Sequence, residues 1–287
     1  MEPKISALTV TRIDPAWALT RDQQPECFAH RKAQKVLVLG CGSLGSPAIE
    51  LLARAGVGQL DIVDCQAFDP ENCSRHVLGM RSLGVGKASA MASRLIEEIP
   101  GINVTGYGQH ASDWILNNCH PGQYQLVVDC TGESSVRCLL GQVRNSIFAE
   151  CPIVHTWLEP YCAAAHVILL TGEDAWPSID PADALIHAAE WPSDLDIKLP
   201  ACGTGFHPYG VADVWQVAGF AAEKLLQVID RAATSSTIWS WVRARAFFES
   251  LGIQLSLRPI VPTLPNLADA QSITRKLEDV LSRRAAQ

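Results

Sequence analysis

None of the ten cysteines has another three residues away, so the Cys-x-x-Cys half-sites of a structural zinc are missing and no such zinc is expected. No apolar run reaches the roughly 18 residues that a membrane span requires. The opening Met1-Glu2-Pro3-Lys4 lacks the basic segment and apolar run of an export signal. Thiols in a chain without that signal read as reduced, so the expected place is the cytoplasm. Most of them are expected to be buried as small apolar residues. A basic excess is also missing: 23 Lys and Arg stand against 30 Asp and Glu, a formal net charge of −7. Neutralising a phosphate backbone takes clustered Lys and Arg, so this balance speaks against nucleic acid as a partner. It leaves room for a partner protein with a basic face. There is no internal repeat and no low-complexity tract. What is present is 287 residues, 48% hydrophobic and 18% charged, enough for one large or two small domains around an ample core.

Pro3, Pro15 and Pro25 break residues 1–34, which read as an arm packing on the body or on a second subunit. Residues 35–39, Lys-Val-Leu-Val-Leu, form a buried parallel strand on their composition. The chain then reads Gly40-Cys41-Gly42-Ser43-Leu44-Gly45. Leu44, Ala48, Leu51, Leu52 and Ala55 share one helical face until Gly56 and Gly58 end it. A second strand over 59–63 closes at Asp64, completing a βαβ unit. A polar stretch over 65–85 leads to a predicted helix over 87–99, with Met91, Leu95, Ile96 and Ile99 on one face. Strands are predicted near 102–107, 126–129, 153–157 and 166–170, with a helix over 135–149. This alternation predicts an α/β fold, a Rossmann-like, doubly wound, mostly parallel sheet. Residues 173–196 hold seven acidic residues, three prolines and no Lys or Arg, and read as a long surface segment. An amphipathic helix over 212–229 and a linker over 232–237 follow. The remainder reads as a Trp/Phe-bearing helix, a strand near 253–257, a Pro-rich turn and a final charged helix.

A strand that runs through Gly-x-Gly-x-x-Gly into a helix suits phosphate for two reasons. Glycines let the backbone come close, and the helix N-terminus offers N–H groups and a positive dipole. Gly40, Gly42, Ser43, Leu44 and Gly45 are therefore candidate nucleotide-binding residues. Asp64 stands 24 residues after Gly40, where a carboxylate accepts hydrogen bonds from a ribose diol. So far the pattern fits a nicotinamide dehydrogenase equally well. Asn72, Arg75 and Lys87 separate the two readings. They put an amide, a planar guanidinium fork and a compact ammonium on the chain leaving the nucleotide strand. A triphosphate uses such cations, whereas a dinucleotide has only a pyrophosphate and no leaving group.

The Gly-rich turn, Gly56-Val57-Gly58, Val63-Asp64, Asn72-x-x-Arg75, Gly86-Lys87-Ala88 and Val128-Asp129-Cys130-Thr131 occur in one order. As a set they resemble the adenylation domain shared by ubiquitin-activating enzymes, molybdopterin-synthase adenylyltransferase and ThiF. The resemblance covers about residues 35–230. It divides the chain into an N-terminal arm (1–34), a ThiF-type ATP-binding adenylation domain (35–231) with a crossover loop at about 171–211, and a C-terminal extension (232–287). It implies ATP as nucleotide, with Asp64 on the ribose and Asn72, Arg75 and Lys87 on the triphosphate. It implies Asp129 as the acid that holds Mg²⁺ near the α-phosphate. The competing reading for Asp129 is a strand-end residue capping the next turn.

The chemistry so implied is nucleotidyl transfer, in which the C-terminal carboxylate of a ubiquitin-like protein attacks the α-phosphorus and pyrophosphate leaves. Mg²⁺, Arg75 and Lys87 would carry the rate by positioning and charge neutralisation. An arginine from the partner subunit's arm often completes such sites, and Arg21 and Arg31 both qualify. A homodimer is expected from the resemblance alone. Activating enzymes of this kind pass the adenylate to a cysteine. Cys202 is the one cysteine in the crossover segment, and the helix that follows can lower a thiol pKa. His207 is a neighbouring base, and a ubiquitin-conjugating-like enzyme would then receive the thioester. The competing reading makes Cys202 an inert residue of a Gly-rich turn.

Trp157-Leu158-Glu159-Pro160, His166 and the Asn-x-x-Arg-His order look more like the activating enzymes of bacterial ubiquitin-like conjugation operons, some linked to phage defence. His155, Cys162 and His166 alternate along predicted strands and read as packing rather than a metal site. Gly132 departs from the family, which often has Asp after Asp-x-Thr. The alternatives are adenylation without a thioester, as in sulfur-carrier or tRNA-modifying enzymes, and an inactive scaffold subunit.

Overall fold

The computed structural model describes residues 8–21, 25–192, 195, 197–198, 205–206, 208–263 and 270–282. One sheet of eight strands organises them. Its strands are β1 (Lys35–Leu39), β2 (Gln59–Val63), β3 (Asn103–Tyr107), β4 (Leu126–Asp129), β5 (Ile153–Leu158), β6 (Ala164–Leu170), β7 (Thr237–Arg243) and β8 (Ala270–Lys276). Their order is β8-β7-β6-β5-β4-β1-β2-β3. β3, β2, β1, β4 and β5 run parallel. β6, β7 and β8 then alternate in direction. The predicted doubly wound, mostly parallel sheet is therefore present, with an antiparallel flank.

Five helices matter for the site: α1 (Gly45–Arg54), α2 (Lys87–Glu98), α3 (Ala111–Asn118), α4 (Ser134–Gln142) and α5 (Val211–Ile229). Residues alternate along β1 between two cores. Val36 and Val38 pack with Ile49 of α1, Met91 of α2 and Val217 of α5. Leu37 and Leu39 pack with Trp114 of α3 and Leu140 of α4. Both faces of the strand are buried, which is why its sequence is an unbroken apolar run rather than an alternating one.

Several expectations change. Leu51 and Ile96, placed above on apolar faces, are exposed at 38% and 55%. The α3 helix escaped the sequence reading because only Trp114 and Ile115 of its eight residues are buried. The helix over 135–149 is split: α4 ends at Gln142 and a wide turn over Arg144–Phe148 follows. Trp239 and Trp241 sit in β7, not in a helix, and the helix that follows them is confined to Arg245–Ser250. The strand near 253–257 is two residues, Ser256–Leu257, and β8 precedes the final helix, Leu277–Leu281. Residues 173–192 are not a free surface segment, since Trp176, Ala182, Ile186, Ala188 and Ala189 are buried.

The Gly56-Val57-Gly58 segment is a seat for the N-terminal helical turn Phe28–Lys32. A Cβ on Gly56 would lie 2.8 Å from the Phe28 ring, and one on Gly58 would lie 1.9 Å from the Lys32 carbonyl. Arg31, in that turn, is buried. Its Nε and Nη2 donate to the Asp230 carboxylate at the end of α5, at 2.9 and 2.6 Å. No helix among the described residues is long and apolar enough to cross a membrane.

Candidate functional site

The strand order reverses between β1 and β4, and in such sheets the crevice beyond the carboxyl ends at that point receives ligands. The Gly-rich turn lies there. Gly40 has φ +91°, and a Cβ on it would meet the Cys130 carbonyl carbon at 2.9 Å. A Cβ on Gly45 would lie 2.2 Å from the Gly40 oxygen, so any side chain displaces the turn. Gly42 is different: a Cβ there would meet no protein atom within 4 Å. Packing does not demand Gly42, and the space it leaves suits a closely approaching ligand. Asp64 closes the turn, its two carboxylate oxygens accepting from the Cys41 and Gln66 N–H groups at 2.7 and 2.8 Å.

Three cavities meet at this turn, and Gly42 lines all of them. One of about 260 Å³ holds Asp64, Cys65 and His110 in its wall. A small one of about 100 Å³ is lined by Ser43, Asn72, Arg75, His76, Lys87 and Tyr209. The largest, about 800 Å³, runs from Ser43, Leu44 and Thr131 to Trp157, His187 and Trp191.

The predicted Asn72, Arg75 and Lys87 therefore converge on one cavity. Asn72 Oδ1 accepts from the Asp69 N–H at 3.0 Å, which caps the turn it stands in. Lys87 opens α2, is buried, and donates from Nζ to Gln66 Oε1 at 2.7 Å. The Arg75 guanidinium lies 4.7 Å from the centre of the Tyr209 ring. Gln66 and Tyr209, unremarked in the sequence, and His76, noted there only in the Asn-x-x-Arg-His order, join them. Gln66 holds Lys87, Tyr209 touches Ser43 and Arg75, and His76 links the two loops. His76 Nε2 donates to the Cys41 carbonyl at 2.7 Å, and its Nδ1 accepts from the Leu78 N–H at 3.0 Å. Those partners call for a neutral ring, and burial pushes its pKa down to about 4. The Arg-His order was the one signal in the sequence that could have found it.

Asp129 lies apart from the open space. Its side chain is 1% exposed. Oδ1 accepts from the N–H and hydroxyl of Thr131 at 3.0 and 2.7 Å. Oδ2 accepts from His155 Nδ1 at 2.9 Å. The carboxylate thus anchors the turn after β4. Magnesium needs carboxylate oxygens that reach phosphate and water, so Asp129 as arranged does not fit the expected role of ion ligand. His155 is spoken for by Asp129 and His166 by Glu159, and among the described residues no metal-binding group of His, Cys, Asp or Glu is present.

Glu159 stands behind the far wall of the largest cavity and holds Trp191, which lines it. It is fully buried. Oε1 accepts from His166 Nε2 and the Ala188 N–H at 2.7 and 2.6 Å, and Oε2 from Trp191 Nε1 at 2.7 Å. Burial pushes its pKa up, but these donors outweigh it and hold the carboxyl below its ordinary value. Trp157 Nε1 donates to His187 Nε2 at 2.9 Å. Burial lowers the pKa of both His166 and His187, which favours neutral rings beside the Glu159 carboxylate. Arg137 lies over the Trp157 ring and pairs with Asp180, tying residues 180–191 to α4 and β5. Cys202 and His207, the expected thioester residue and its base, lie outside the described residues.

A model of the ThiF family matches residues 22–175. The ATP-dependent ubiquitin transferase-like protein Cap2 of Vibrio cholerae serotype O1 is 25% identical over 240 residues, 78% of this chain and 40% of that protein. The adenylyltransferase and sulfurtransferase MOCS3 of Mus musculus is 35% identical over 124 residues, 42% of this chain and 26% of that protein. The chain thus spans less than half the length of either relative. Among solved structures, E. coli MccB with ATP aligns with a TM-score of 0.55 at 14% identity, over 85% of this chain and 69% of that one. PaaA aligns with a TM-score of 0.56 at 13% identity, over 90% and 69%. At that identity the likeness speaks for the fold alone.

Proposed function

Because the chain belongs to the ThiF family, we propose that it is an adenylating enzyme acting on the C-terminal carboxylate of a ubiquitin-like protein. The observation that carries the reading is the meeting of three cavities at Gly42. In this reading the cavity with Asp64 takes the nucleoside and the small cationic one takes the β- and γ-phosphates. The large aromatic one takes the tail that ends in the carboxylate. A carboxylate oxygen attacks the α-phosphorus of ATP. The bond to the β-phosphate oxygen breaks, and that oxygen leaves with the electron pair as pyrophosphate. Half-buried Arg75 and buried Lys87 spread the charge of the leaving group, and cations already held in place do so without reorganising. No step is assigned to a metal ion, because both carboxylate oxygens of Asp129 are taken up by Thr131 and His155.

A second step is part of the proposal. The Cys202 thiolate attacks the acyl carbon of the adenylate, AMP leaves, and the thioester passes to a conjugating enzyme. The name of the Vibrio relative, an ATP-dependent ubiquitin transferase-like protein, supports a transfer step. In a homodimer, Arg21 is our choice for the arginine supplied in trans. It is exposed, whereas Arg31 is bound to Asp230 of its own chain.

ATP–pyrophosphate exchange tests the reading, with a ubiquitin-like protein as acceptor and wild type beside Lys87→Ala and Cys202→Ala. Exchange lost in Lys87→Ala and kept in Cys202→Ala, with a thiol-sensitive adduct missing only from the latter, is expected. Exchange without any adduct would leave adenylation standing and remove the thioester step. No exchange in wild type would favour a scaffold subunit.

A further inference from the structure

We propose that Tyr209 is a positioning residue of the polyphosphate half-site, fixing Ser43 and Arg75 at the wall between the small and large cavities; this rests on the adenylation reading. The Tyr209 hydroxyl lies 2.5 Å from Ser43 Oγ, and its ring lies under the Arg75 guanidinium at 4.7 Å. Gly42, Ser43 and Tyr209 are the residues that line both cavities. In nucleotidyl transfer the point common to the two substrates is the α-phosphorus, so the shared wall stands where carboxylate and phosphate meet. Tyr209 comes from the chain just before α5, Ser43 from the turn after β1, and Arg75 from the loop after β2. One side chain thus ties three segments together at the site.

The physical advantage is entropic. A long arginine side chain loses rotamer freedom when it grips a phosphate. A ring beneath the guanidinium preselects its plane before the ligand arrives. The effect should act on β- and γ-phosphates, not on the nucleoside, whose cavity Tyr209 does not line.

ATP and AMP binding to the full chain, measured by calorimetry for wild type, Tyr209→Leu and Tyr209→Phe, tests this. Tyr209→Leu removes ring and hydroxyl and is expected to weaken ATP about tenfold and AMP less than about twofold. Tyr209→Phe keeps the ring and is expected to recover most of the ATP affinity. A residue that only supports the fold would weaken both nucleotides alike and lower Tm with them. Equal losses for ATP and AMP, or unchanged ATP affinity in Tyr209→Leu, would overturn the proposal. A wild-type chain that binds neither nucleotide overturns the adenylation reading itself, an outcome distinct from a defect confined to the variants.

Discussion

Acidification should loosen the Gly-rich turn through His76, and the size of the effect follows from its pKa. In the fold the ring has a pKa of about 4, against an ordinary 6.5. Between those values the unfolded chain binds the extra proton and the folded chain does not. Stability therefore rises with pH across that window and falls as pH drops from 6.5 towards 4. From pH 7 to pH 5 the loss from this one ring comes to about 2 kcal/mol. Protonation would put a hydrogen on Nδ1, where the Leu78 N–H donates, so the two donors collide. His166 and His187 also have lowered pKa values and add to the overall slope, so a difference measurement is needed. Urea unfolding followed by tryptophan fluorescence at pH 7 and pH 5, for wild type and His76→Gln, supplies it. Glutamine can still donate to the Cys41 carbonyl but does not titrate. The wild type should lose about 2 kcal/mol more than the variant on acidification. Equal losses, or a His76 ring found by NMR to titrate near its ordinary value, would refute the reasoning.

Four further outcomes follow from the packing. Gly45→Ala should cost about 1–3 kcal/mol in urea unfolding, because its Cβ overlaps the Gly40 oxygen. Gly42→Ala, with open space around its Cβ, should unfold within about 0.5 kcal/mol of wild type yet bind ATP more weakly in calorimetry. Arg31→Ala leaves Asp230 buried without its guanidinium and should cost about 3–5 kcal/mol by chemical denaturation. Glu159→Ala strands the buried donors of His166 and Ala188 and the half-buried indole of Trp191, and should cost on the order of 3 kcal/mol with a changed Trp191 emission.

The β1–turn–α1–β2 unit was legible in the sequence because its signals are short-range. Helical and strand periodicity act over a few residues. The glycines at 40 and 45 answer to backbone contacts within one turn and to the neighbouring strand end. The same holds for Asp64, whose partners Cys41 and Gln66 belong to that unit. The ThiF-type order of motifs carried the family and fold class. The antiparallel flank was not legible. Trp239 and Trp241 have no helical or strand period of their own that decides the matter, and pairing with β6 and β8 makes them a strand.

Only the tertiary structure decided how distant side chains are used. Tyr209 meets Ser43 across 166 positions, and Arg31 meets Asp230 across 199. Asp129 turns to His155 because β4 and β5 are parallel neighbours in register, which sets the two residues side by side. Local periodicity carries no information about such pairs. They exist because the order of strands brings the ends of separate segments to one edge of the sheet.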